Sequence, residues 1–264
     1  MIVRLIFILG SILTFSTFAE EEFQSSICKQ GKLLETPITF FVSKSVRDNY
    51  SPFVIEGYIK SWLNFSNKTL INSCIPMIRK SVGIIYVDEL LGREVESTVL
   101  AHNLLEYYYP KLVEQASKES TRYYGVIYDD KFSEFSFDFT GSTHASVNSQ
   151  FFIINIRSAE YVLEHELGHL IGANHDVETL SYQTEGRPFD LNMWEPLSFH
   201  QTVKKYSYGY ICGGKGTVMA YADDIHPFYS SPEITYSGIV CGHKDYADNA
   251  KVLRDYALSK LSED

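Results

Sequence analysis

The chain has 264 residues, a formal net charge of -10, 45% hydrophobic and 21% charged residues. The length fits one domain of two lobes, and the balance is that of a globular protein able to bury a core. The acidic surplus, with no run of Lys or Arg, argues against nucleic acid or an anionic membrane as the main partner.

Residues 1–19 show the three parts of an export signal: a short basic start ending at Arg4, an apolar stretch from Leu5 to Phe18, and small residues at Thr17 and Ala19. The apolar stretch falls short of the ~20 residues that a spanning helix requires, and Glu20-Glu21-Glu22 follows directly. Cleavage after Ala19 is expected, giving a secreted or periplasmic protein without a stable membrane anchor, expected to be monomeric. Residues 20–36 are polar and read as an N-terminal extension, and 37–264 as the main domain, with an upper lobe to about 175 and a lower lobe from about 176.

Along the chain, Pro37 to Val42 reads as a strand, and Val54, Ile55, Tyr58, Ile59, Trp62 and Leu63 mark a helix over about 52–70. Val82 to Val87 is a second strand, and 94–117 is a helical stretch broken or kinked at Pro110. Tyr123–Tyr128 and Phe151–Ile156 read as strands, and the polar stretch 141–148, which holds His144, as an edge strand. Ser158 is placed as the N-cap of a helix starting at Ala159, and 245–261 as a last helix. Alternating strands and helices predict a mixed α/β (α+β) fold.

Four cysteines in an exported chain point to disulfides, with three pairings open. Cys28–Cys74 with Cys212–Cys241 keeps each loop within one half of the chain. If unpaired, Cys28 offers a thiolate able to bind a metal.

The chemistry concentrates in His165-Glu166-Leu167-Gly168-His169-Leu170-Ile171-Gly172-Ala173-Asn174-His175-Asp176. On a helix, His165 and His169 lie one turn apart on one face and can share an ion. Gly172 can adopt positive φ, ending the helix and turning His175 back to the same point. Three imidazoles leave one position of a tetrahedral zinc ion open for water, with Glu166 beside it as general base. The remaining histidines, His102, His144, His200, His226 and His243, lack ligand spacing.

This stretch resembles the long zinc-binding motif of the metzincin metallopeptidases, and Asp176 directly after the third histidine is similar to the reprolysin (adamalysin) branch. Gly216-Thr217-Val218-Met219-Ala220-Tyr221 looks like the Met-containing turn of that clan, with Met219 under the zinc. Phe228-Tyr229-Ser230-Ser231-Pro232 and Ala247-Asp248-Asn249-Ala250 resemble bacterial secreted members. The resemblance implies a mainly parallel five-stranded sheet, an active-site helix, a smaller C-terminal subdomain, and an edge strand that takes up extended peptide. It implies a zinc endopeptidase acting on protein or peptide substrates, with one Zn2+ and no indication of calcium. Asp176 would tie the helix end to the turn. Tyr221 has two readings: a tyrosine that steadies the oxyanion, as in astacin- and serralysin-like members, or a structural residue. The stretch from 20 to 36 is short for the large propeptide that family members often carry. The alternatives are a non-catalytic zinc-binding or inhibitory protein on the same fold, or a narrow-specificity toxin-type protease. Trp194 and Phe199 would help to wall a specificity pocket.

Overall fold

A computed structural model describes residues 23–25, 28, 31–88, 97–131, 140–145, 148–183 and 204–263. The signal segment 1–19, Trp194 and Phe199 lie outside the described residues. A short strand, β1 (Phe23–Ser25), precedes β2 (Leu34–Val42). Next come α1 (Lys44–Asn49), α2 (Pro52–Asn72) and β3 (Met77–Tyr86). The helices α3 (Thr98–Tyr108) and α4 (Pro110–Ala116) lead to β4 (Tyr123–Tyr128), β5 (Gly141–Thr143) and β6 (Phe151–Asn155).

The main sheet has the order β3-β2-β4-β6-β5, parallel throughout except for β5, which runs antiparallel along β6. A parallel sheet must be covered on both faces, because crossover helices lie on each. β4 and β6 accordingly have every residue buried. Alternation along β2 sends Phe40 to one face, with Trp62, Phe152, Leu163 and Leu167. It sends Phe41 to the other, with Leu105 of α3, Val113 of α4 and Phe151. Each such side chain, fully buried, contributes about 1.5–3 kcal/mol.

The helix α5 (Val162–Ile171) packs on the first of these faces beside α2. A smaller C-terminal part follows α6 (Val177–Gln183). It is built from β7 (Ile211–Cys212), β8 (Lys215–Gly216), β9 (Ile234–Tyr236), β10 (Ile239–Val240) and α7 (Asn249–Glu263). Its core joins Met219, Tyr229 and Leu253 to Leu70 and Met77 of the upper part. The expectation of a mixed α/β fold with a mainly parallel five-stranded sheet holds. Disulfides join Cys28 to Cys74 and Cys212 to Cys241, so no Cys28 thiolate is available to a metal. Among the described residues no helix is long and apolar enough to cross a membrane.

Several boundaries differ from the sequence expectation. β2 starts at Leu34, inside the extension, because Leu34 N–H donates to Pro76 O and its side chain is buried. The polar extension also contributes β1, paired antiparallel with β9, a contact set by backbone rather than by pattern. β3 begins at Met77 rather than 82, since its first half pairs with β2 across a register shift at Ile38/Thr39. In place of one helix over 94–117, the described residues from 97 on form two, with Ser97 capping the first and Pro110 opening the second, where its missing N–H is harmless. The last helix starts at Asn249, not 245, because His243 and Ala247 first close an antiparallel bridge. β5 covers only the first three residues of the expected edge strand, and α1 and α6 were not expected.

Candidate metal centre

Helix α5 starts later than Ser158 suggests. Ser158 N–H is taken by Asn155 O in a turn, and its hydroxyl has no partner, so it caps nothing. The helix begins after Tyr161 without a side-chain cap. Its buried face is continuous from Val162 to Gly168, so burial rather than capping holds it. Gly172 closes it at φ 104° and ψ 13°, and Ala173 N–H donates back to Gly168 O at 3.0 Å. Only a residue without Cβ takes that conformation freely. The chain then reverses. Asn174 N–H donates to Ser207 O, Asn249 Nδ2 to Asn174 O, and Gly209 N–H to Asn174 O, which fixes the strand-like segment carrying His175.

These constraints bring three imidazoles to one point. The Nε2 atoms of His165, His169 and His175 lie 3.0, 3.1 and 3.2 Å apart. His165 Nδ1–H donates to Val218 O and His169 Nδ1–H to Ala173 O, both at 2.9 Å. A carbonyl can only accept, so in the neutral rings the proton sits on Nδ1 and Nε2 presents a lone pair. Lone pairs at this separation repel unless a cation lies among them. A tetrahedral ion with bonds of ~2.0–2.1 Å to nitrogen separates its ligands by about 3.3 Å, so the donor set and its spacing fit a metal ion. No other group of three or more His, Cys, Asp or Glu with this geometry occurs among the described residues.

The surroundings oppose charge on these rings. Burial, with His175 adding to it, holds the His165 imidazolium down to about 3, and His169 falls well below its ordinary value for the same reasons. Burial alone pushes the Glu166 carboxyl up to about 8. A dication at the histidines opposes that last shift by favouring the carboxylate. Glu166 sits against β5, since a Cβ on Gly141 would stand 2.8 Å from its Oε1.

Beneath the histidines, fully buried Met219 touches the helix at Gly168, where a Cβ would come within 2.6 Å of its sulfur. Asp176 is buried and ties three groups together: Oδ1 accepts from Thr179 N–H, and Oδ2 accepts from Thr179 Oγ1 and from Tyr221 N–H at 3.2 Å. The Tyr221 ring is 58% exposed and stands 4.6 Å from the His175 ring and 5.9 Å from that of His165. A cleft of about 520 Å³ opens over His165 and Glu166, between Thr140 and Gly141 on one side and Tyr221 to Asp223 on the other.

Other residues at the site carry no motif. Arg79 of β3 and Glu164 of α5 are both fully buried and form a forked pair, Nε to Oε2 at 3.1 Å and Nη2 to Oε1 at 3.0 Å. Burial opposes the Arg79 charge, but Glu164 outweighs it and holds the guanidinium further above its ordinary value. Tyr229 OH completes the group with Glu164 Oε1 at 2.8 Å. The pair spans 85 residues, so no local pattern reveals it. The one available signal is an acid inside an apolar helix face, directly before His165. Gly168, between the two helical histidines, could have been found from the need for a gap beneath them. His144, just past β5, lines a small cavity with His102 and is not part of this centre.

Together these features define a mixed α/β protein with a three-histidine group that can hold one metal ion. No family model matches the chain, and no curated protein sequence does. Among solved structures, a chain in a chaperone–substrate complex superposes with a TM-score of 0.64 at 14% identity, over 87% of this chain. This chain spans only 35% of that one, and the likeness shows the fold alone. Metalloproteinase-II from Bacteroides fragilis aligns over 54% of this chain and 43% of its own, at 18% identity and a TM-score of 0.35, too low to establish a shared fold.

Proposed function

We propose that this protein is an exported, zinc-dependent endopeptidase of metzincin type, nearest the reprolysin-like branch, acting on protein or peptide substrates. The observation that carries the reading is the convergence of three Nε2 atoms, those of His165 and His169 left proton-free by their Nδ1 hydrogen bonds, beside the Glu166 carboxyl on the floor of an open cleft. His165, His169 and His175 would hold the ion, leaving room for a water. When bound, the ion supplies Lewis acidity toward that water and toward a substrate carbonyl. Glu166 takes the water proton on a carboxylate oxygen and delivers it to the leaving amine. Val218 O and Ala173 O hold the Nδ1 protons of His165 and His169, fixing both tautomers and ring settings. Met219 and Gly168 set the floor height, and Asp176 holds the Tyr221 backbone, so the tyrosine ring stays at the cleft mouth. Extracytoplasmic location is supported by the two disulfides.

The test is a paired assay of the zinc-loaded protein and Glu166→Ala on casein. Cleavage by the wild type, reduced by ~10²–10⁴-fold in the variant with zinc still bound, is the expected result. Equal cleavage by both would remove Glu166 from the mechanism. Zinc bound without any cleavage would favour a non-catalytic metal-binding role.

A further inference from the structure

The cleft over His165 and Glu166 has a distinct chemical character. Its lining contains no Lys or Arg among the described residues. It contains Asp223, exposed at the rim and without an ion pair among the described residues. It also contains two tyrosines, Tyr161 at the start of α5 and Tyr221 over the histidines. Asp223 is not on a loose loop end. Gly216 N–H donates to Asp224 O at 2.9 Å, His226 N–H donates to Gly216 O at 2.7 Å, and Asp176 holds Tyr221 N–H, so Asp223 is pinned on both sides. A carboxylate with no counter-charge, in a cleft that two tyrosine rings also line, is the chemistry that recognises an ammonium or guanidinium group. The surplus of negative charge over the whole chain draws cations toward the same opening.

We infer that this cleft selects peptides carrying a Lys or Arg side chain close to the scissile bond, with Asp223 as the specificity-determining residue. The inference rests on the peptidase reading and narrows its substrate class. Because Asp223 is exposed, its contribution is modest and weakens with salt.

The experiment uses the full zinc-loaded chain on matched peptides that differ only in Lys, Gln or Glu at each position around the bond. The wild type should cleave the Lys peptide fastest at one position, through KM rather than kcat. Asp223→Asn should lower kcat/KM for the Lys peptide by about three- to five-fold while leaving the Gln peptide unchanged. Asp223→Lys should reverse the order in favour of Glu. Cleavage without any basic preference, or a preference that survives Asp223→Asn, overturns the inference and leaves the peptidase reading intact. If the wild type cleaves none of the peptides, the peptidase reading fails, and binding decides the inference separately. Fluorescence anisotropy of the labelled Lys and Glu peptides on zinc-loaded Glu166→Ala should then show tighter binding of the Lys form, lost with Asp223→Asn in the same background. Equal binding of the two peptides would overturn it.

Discussion

Two regions of this molecule bring histidine against a polar neighbour, and they differ in what satisfies the ring. On the α3 side of the sheet, His102 Nε2 lies 2.8 Å from Tyr124 OH and 2.9 Å from Asn148 Nδ2, and Asn148 also donates to Tyr124 OH. The ring Nε2 there has protein partners, and the adjoining cavity is only about 10 Å³. On the α5 side, the Nδ1 protons of His165 and His169 go to carbonyls, and three Nε2 atoms face one another. A closed hydrogen-bond set is a way to bury a histidine. A set whose ring nitrogens converge beside an open cleft can hold a cation from outside.

The sharpest way to separate the two regions is pH. The unfolded chain protonates its histidines near 6.5, whereas folded His165 does so only near 3. The folded pKa is the lower one, so the stability from neutral His165 is complete above pH 6.5. It is lost as the pH falls from there toward 3. For chelator-treated protein the loss from this group should reach roughly 4–5 kcal/mol, measured as urea midpoints against pH. His169→Gln should flatten this profile strongly, and His102→Gln, whose imidazolium burial also disfavours, only weakly. A profile insensitive to His169 would break the contrast.

The buried pair behind the helix comes next. Arg79→Met leaves the Glu164 carboxylate buried and unpaired, and should destabilise the fold by about 3–5 kcal/mol in denaturant unfolding. Loss below 1 kcal/mol would show that Glu164 reaches another partner. Gly168→Ala drives a methyl into Met219 and Tyr229, and about 1–3 kcal/mol should be lost, with weaker metal retention. At the small end, His102→Phe removes the Nε2 contacts to Tyr124 and Asn148 but keeps the packing on Phe151 and Tyr124, and should lose about 1 kcal/mol with metal content unchanged.

The legibility of the molecule follows the same division. The five-stranded sheet was readable because β4 and β6 are unbroken apolar runs and α2 repeats Ile55, Ile59 and Trp62 at helical spacing. The histidine group was readable because its spacing is local: four residues along a helix, then a glycine turn. What sequence did not yield depends on distance or on backbone. The Arg79–Glu164–Tyr229 group joins β3, α5 and the C-terminal part. The pairing of β1 with β9 uses main-chain groups that any residue supplies. The late start of α5 was not legible either: Ser158 closes a backbone turn with Asn155 while its hydroxyl caps nothing, which the N-cap pattern does not display.

The most direct test of the central claim is metal stoichiometry by atomic absorption on the purified wild type, His169→Ala and His102→Ala, with circular dichroism to confirm that each is folded. The three-histidine account predicts about one ion per chain in the wild type and in His102→Ala, and almost none in folded His169→Ala. Full metal content in His169→Ala would contradict it, because the ion would then be held elsewhere.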